Sequence, residues 1–174
     1  MDRIWGGGIV SKIGVVMGST SDLPVVEKAI HILEEYQVPF EVRVLSAHRC
    51  PNEAREFAAS ARESGFSVLI AAAGMAAHLA GAIAANTTLP VIGIPVKGGA
   101  MDGMDALLST VQMPTGIPVA TVAINGAANA AVLAVQILAV NEKELSDKLK
   151  ADRKANREKI LEKNAAVEAK YNKN

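Results

Sequence analysis

Two of the chain's three histidines, and an arginine, sit in short polar loops where side chains of their type could do chemistry together. The first such loop reads Gly18-Ser19-Thr20-Ser21-Asp22, the second Ser46-Ala47-His48-Arg49, and the third Ala73-Gly74-Met75-Ala76-Ala77-His78-Leu79. In the first, a glycine lets the backbone turn, and hydroxyls ahead of a helix start make a cradle for an anion. The plain alternative is that Ser21 and Asp22 only cap that helix. A dinucleotide fingerprint and a Walker loop are both excluded, because neither GxGxxG nor GxxxxGK[ST] is present. A mononucleotide remains open, with serine hydroxyls on phosphate and Asp22 accepting from ribose hydroxyls.

The second loop is sharper. Arg49 offers a planar fork matched to phosphate oxygens, and an imidazole such as His48 exchanges protons near neutral pH, as a general acid–base must. In the third loop, small residues around His78 allow backbone N–H groups to approach a ligand closely. His78 could equally be a hydrogen-bonded histidine inside a packed helix start. His31 lies on the polar side of the first helix and reads as a surface residue. Three histidines with no cysteine or carboxylate cluster at ligand spacing argue against a metal site.

These loops need elements to hold them. Strand segments are expected at Ile13–Met17, Phe40–Leu45, Val68–Ala72, Val91–Val96 and Val119–Ile124. None alternates cleanly between apolar and polar, as suits a parallel sheet covered on both faces. Helices are expected after Asp22, with Val26, Ile30, Leu33 and Tyr36 on one face; from Pro51 to before Gly65; over Ala76–Asn86; after Gly103; and over Ala127–Val140. Pro24 falls in a first turn, where its missing N–H costs nothing. This alternation makes an α/β protein, a three-layer α/β/α sandwich with a five-stranded parallel sheet and right-handed crossovers. In such sheets ligands bind beyond the carboxyl ends of the strands, and the first three strands end in the three loops above.

The divisions expected are a flexible leader at 1–12 containing Gly6-Gly7-Gly8, one catalytic domain at 13–140, and a C-terminal helix at 141–174. The apolar positions of that last helix are sparse (Leu145, Leu149, Ile160, Leu161, Val167), too thin for strong docking on its own core. It reads as a reach towards a neighbouring subunit or as a partly frayed tail.

Composition narrows the class of function. The chain has 174 residues, half of them hydrophobic, with only 3% aromatic and a formal net charge of zero. A nucleic-acid binder would want stacking aromatics and a basic patch. The basic excess lies in the C-terminal helix, interleaved with acids, as on a solvated face. A lone Cys50 excludes an internal disulfide and suits a reducing compartment. No apolar run reaches membrane-spanning length, and the N-terminus lacks the core of a signal peptide. The expected location is the cytoplasm.

Taken together in order, GSTSDLPV, LSAHRCP, AAAGMAAHLAG, LPVIGIPV and STVQMPTGIPVATVAI resemble the 5-(carboxyamino)imidazole ribonucleotide mutase family of purine (IMP) biosynthesis. The resemblance runs from Ile13 to Val140. It implies a flavodoxin-like fold, a homo-octamer tied partly by the terminal helix, a small ribonucleotide substrate, and no cofactor. The implied reaction moves a carboxylate from the exocyclic nitrogen to ring carbon 4, by loss of carbon dioxide and its recapture. Carried over by position, Ser19, Asp22 and Arg49 would hold phosphate and ribose, and Ser21, Ser46, Gly74 and Leu79 would line the pocket. His48 would take the ring proton, and His78 would position the substrate. Ala, Gly and Met of residues 71–77, Met75 among them, would form a dry wall that retains the gas. Cys50 stands where the family usually has threonine, which implies a changed helix cap or sensitivity to thiol reagents.

The nearest rival is the related carboxylase that uses carbon dioxide directly; such proteins tend to read SAHK and lack AAHL. A non-catalytic nucleotide sensor is a rival of another class, but it has no need of His48. A purely structural oligomer has no use for the His-Arg loop.

Overall fold

The computed structural model of the chain describes residues 11–172. The elements are β1 (Lys12–Met17), α1 (Leu23–Glu35), β2 (Phe40–Val44), α2 (Pro51–Ser60), β3 (Phe66–Gly74), α3 (Leu79–Ala84), β4 (Val91–Val96), α4 (Met104–Val111), β5 (Ala120–Thr121), α5 (Ala127–Leu138) and α6 (Lys143–Tyr171). The five strands form one sheet in the order β2-β1-β3-β4-β5, and every pairing is parallel.

Period-two alternation decides which helices cover which face. Ile13, Val15 and Met17 of β1, with Val68, Ile70 and Ala72 of β3 and Ile92, Ile94 and Val96 of β4, pack with Val26, Ala29 and Leu33 of α1 and with the alanine-rich side of α5. The intervening Val16, Leu69, Ala71 and Val91 pack with Ala54 and Ala58 of α2 and Leu79, Ala80 and Ile83 of α3. Both faces are therefore dry, which is why these strands read as continuous apolar runs. The order reverses direction between β1 and β3, where the connections leave to opposite sides and open a crevice at the strand ends.

Three expectations shift at their edges. The expected strand at Val119–Ile124 shrinks to Ala120–Thr121. Val122 N–H still reaches Gly93 O and Asn125 N–H reaches Pro95 O, but Pro95 has no N–H to return, so the ladder ends. The helix expected over Ala76–Asn86 is only Leu79–Ala84, because Met75 adopts a left-handed φ of 53° and the chain makes a turn before it can coil. The leader, most of which lies outside the described residues, gives way to β1 at Lys12.

The C-terminal helix also differs from expectation. Its first turns dock on the core of the same chain: Leu145 is buried and Leu149 packs against the same cluster. Tyr36 Oη donates to the Asp152 carboxylate, and Lys148 Nζ donates to the Gln37 side chain at 3.1 Å. Burial and that carboxylate push the Tyr36 hydroxyl up to about 12. From residue 151 onward every described position is exposed, including Ile160, Leu161, Val167 and Tyr171.

Candidate active site

The three loops come together at the carboxyl ends of β1, β2 and β3, beside the reversal of strand order. After β1 the chain enters a one-turn 3-10 helix, Thr20–Asp22, with Ser19 as its cap. Ser19 Oγ accepts from the Ser21 N–H at 3.3 Å, and the Asp22 carboxylate accepts from the Ser19 N–H at 3.2 Å. The expected capping of α1 by Ser21 and Asp22 is not what forms, since Asp22 makes no side-chain bond to that helix; Ser19 and Asp22 instead cap the 3-10 turn, and two hydroxyls lie side by side, with Ser21 Oγ donating to Ser19 Oγ at 2.9 Å. Asp22 is buried, and that burial raises its carboxyl above the ordinary range despite the opposing Ser19 N–H, Ser21 side chain and Arg49 charge.

Arg49 joins the second loop to the first. Its Nη2 donates to Gly18 O at 2.9 Å, while its Nε points at Ser46 Oγ at 3.4 Å. The Arg49 backbone N–H also reaches Ser46 Oγ, at 3.2 Å. At the other side of this turn the Ser46 N–H donates to Cys50 Sγ at 2.9 Å. Cys50 is the cap position of α2 but makes no side-chain bond to that helix's own N–H groups. The thiol instead closes the turn that carries His48 and Arg49.

His48 joins the second loop to the third. His48 Nε2 and His78 Nδ1 lie 2.7 Å apart with the rings edge to face, a distance that requires one shared proton between them. The shortening of α3 leaves His78 exposed on the turn ahead of the helix. Beneath it, Gly74 runs so close to β4 that a Cβ would stand 3.1 Å from Val96 O.

A depression of about 250 Å³ is lined by Gly18, Ser19, Thr20, Val44, Ser46, Arg49 and Cys50. Thr20 and Val44 were not singled out from the sequence. Val44 gave no signal because an apolar residue at a strand end looks like core, yet β2 is an edge strand and leaves it 49% exposed. The remaining sequence candidates are placed unequally. Met75 is 63% exposed on the third loop, whereas the Leu79 side chain is buried in the core and has only its backbone to offer a ligand. Ala71, Ala72 and Ala77 are likewise buried, so the wall expected over residues 71–77 reduces to Ala73–Ala76. A second depression of similar size, between α5 and α6, is lined by Lys150 and Arg153 but by no histidine or carboxylate. Among the described residues no three His, Cys, Asp or Glu side chains group as metal ligands, and no helix is long and apolar enough to cross a membrane.

Comparison with known proteins identifies the family and the fold. The family model described as AIR carboxylase matches residues 12–159. The chain is 53% identical over 156 residues to the N5-carboxyaminoimidazole ribonucleotide mutase of Pyrococcus horikoshii, covering 90% of this chain and 88% of that one. It is 52% identical to the protein of the same name from Bacillus subtilis, over 86% of this chain and 94% of that one. Among solved structures, that of Treponema denticola PurE superposes with a TM-score of 0.81 at 27% identity, covering 90% of this chain and 98% of that one.

Proposed function

The chain belongs to the AIR carboxylase family, and on that footing we propose that it is a mutase of purine biosynthesis. It converts 5-(carboxyamino)imidazole ribonucleotide to 5-amino-4-imidazolecarboxylate ribonucleotide. The observation that carries this reading is the linkage of three loops through Arg49–Gly18 and His48–His78, which sets a cation for phosphate beside an imidazole for proton transfer.

In this reading the 5′-phosphate lies in the depression between Ser19 and Arg49, with Ser21 and Ser46 at its edge. Asp22 accepts from the ribose hydroxyls, and His78 holds the heterocycle against His48. The exocyclic nitrogen takes a proton as its bond to the carboxyl carbon breaks, releasing carbon dioxide. Ring carbon 4 then bonds to that carbon dioxide and gives up its own proton. One proton enters and one leaves, so a single imidazole, His48, can serve both steps. The carbon dioxide needs only to be kept against carbon 4, by Ala73, Gly74, Met75 and Ala76.

The same reading places the protein in the cytoplasm as a homo-oligomer, an octamer. Supporting the association are the exposed Ile160, Leu161 and Val167 of α6 and the exposed row Met104, Leu108 and Val111 on one side of α4. Light scattering after size-exclusion chromatography tests it: a monomer at micromolar concentration refutes the octamer. Supplying the two substrates separately tests the reaction. The carbamate should be converted far faster than aminoimidazole ribonucleotide with bicarbonate; equal rates would assign the protein to direct carboxylation instead.

A further inference from the structure

His48 and His78 meet nitrogen to nitrogen, and hydrogen bonds of the backbone hold both in place. The rings cross at 86° with centroids 4.9 Å apart, so the contact is the 2.7 Å approach of Nε2 to Nδ1 and not stacking. His48 rides on the turn from Ser46 to Cys50, which is closed twice. The Cys50 N–H donates to Ser46 O and the Ser46 N–H to Cys50 Sγ, both at 2.9 Å. His78 stands at the start of α3, where its N–H donates to Ala76 O and its carbonyl accepts from the Ala82 N–H, each at 2.8 Å. A histidine that moves protons commonly has one ring nitrogen engaged by a carboxylate or a carbonyl, which settles the tautomer and leaves the other nitrogen to work. Here a second imidazole occupies that place.

Proton bookkeeping fixes which nitrogen carries which hydrogen. At 2.7 Å the two facing nitrogens share one proton, so His48 Nε2 is engaged and only Nδ1 remains to meet the substrate. In the reaction one proton goes to the exocyclic nitrogen as its bond to the carboxyl carbon breaks. One proton then leaves ring carbon 4 after that carbon has bonded to carbon dioxide. His48 starts as the cation, with hydrogen on both nitrogens, and gives up the proton on Nδ1. Nδ1 is then bare and the remaining proton sits on Nε2. If His78 Nδ1 held the shared proton instead, His48 would be left as an imidazolate, a charge state outside the ordinary titration of histidine. The proton from carbon 4 returns to Nδ1 and restores the cation, and the pair is reset without the shared proton moving.

The geometry points to His78 as the positioning residue for His48: its bare Nδ1 accepts from His48 Nε2–H throughout the cycle and thereby assigns the proton transfer to His48 Nδ1. This inference rests on the mutase reading above. The same accounting puts the proton of His78 on its own Nε2, which leaves an N–H to hold the heterocycle. The two duties of His78 use different nitrogens, and substitution separates them.

Asparagine and leucine both branch at Cγ as histidine does, and both accept the helical backbone of His78 (φ −76°, ψ −13°). Neither reaches as far as Nε2, but the asparagine Oδ1 stands where Nδ1 stood and accepts from His48. Steady-state kinetics with the carbamate should therefore show KM raised alike in His78→Asn and His78→Leu. In contrast, kcat should fall only about threefold in His78→Asn but roughly a hundredfold in His78→Leu, the scale of losing the partner that orients a reacting group. Equal kcat in the two variants overturns the positioning role and leaves the mutase reading intact. Neutron diffraction from wild-type crystals holding the product nucleotide reads the tautomers directly, whatever the variants do to folding. Deuterium on His48 Nε2 directed at His78, with His48 Nδ1 towards carbon 4, is the expected result. His48 Nε2 turned to carbon 4 overturns the assignment. A wild type that does not convert the carbamate overturns the mutase reading and this inference with it.

Discussion

Replacing Arg49 by alanine separates its two duties. Within the protein, the side chain makes one well-formed bond, Nη2 to Gly18 O at 2.9 Å, and one long contact, Nε to Ser46 Oγ at 3.4 Å. Arg49 is exposed, so losing that bond costs at most about 0.5–1.5 kcal/mol of folding stability, a shift of a few degrees in melting temperature. The lost contact to phosphate is charge-assisted and is worth about 1.5–3 kcal/mol, or roughly 10- to 150-fold in affinity. Titration calorimetry with aminoimidazole ribonucleotide and with its dephosphorylated riboside reads the two apart. The nucleotide should lose that full factor and the riboside almost nothing. Arg49→Lys should fall between, since one ammonium cannot reproduce a fork serving both Gly18 O and a phosphate oxygen. Equal losses for nucleotide and riboside would refute the reasoning and reduce Arg49 to a tether between loops.

Three further outcomes are expected. His48→Asn should bind nucleotide normally while turnover falls about 10²–10⁴-fold; retained turnover would remove His48 from proton transfer. Asp22 has its carboxyl raised in the folded state, chiefly by burial, so the folded protein binds the extra proton and stability falls as pH rises above the ordinary carboxylate value of 3.8. Asp22→Asn, which keeps an acceptor for the Ser19 N–H, should therefore melt higher than wild type at neutral pH and bind nucleotide less tightly; a lower melting temperature would contradict this. Tyr36 has the same sign at higher pH: its bond to Asp152 contributes below about pH 10 and is lost as pH rises through about 12. Tyr36→Phe should speed hydrogen exchange across Lys143–Arg153 while β1 and β3 amides stay protected, and unchanged exchange would show that Leu145 and Leu149 suffice to dock α6.

Local chemistry carried much of this protein in its sequence. The continuous apolar runs announced a parallel sheet, since only a sheet with helices on both faces needs no polar alternation. Pro24, Pro51 and the residues just ahead of them marked helix starts, and Gly18–Asp22, Ser46–Arg49 and the run to His78 stood out because polar groups are rare among so many alanines and valines. Where backbone conformation depends on neighbours, the reading slipped. The end of β5 follows from Pro95 on the strand beside it, and the late start of α3 follows from the left-handed turn at Met75. The thin apolar stripe of α6 suggested no docking, yet two leucines and the Tyr36–Asp152 bond suffice once α1 stands in the right place.

The residue types and spacings settle which side chains are available and which strand each follows. They contain no information on distance between loops some thirty residues apart. Only the strand order, β1 between β2 and β3, brings Arg49 to Gly18 O and His48 Nε2 to within 2.7 Å of His78 Nδ1. Register is the physical reason: parallel pairing puts Val44 opposite Met17 and Ala72 opposite Met17 from the other side, so three loops must leave the sheet at one edge. The same geometry buries the side chains of Leu79, Ala71 and Ala72, which the family resemblance implied as pocket, and exposes Val44, which the sequence marked only as part of a strand.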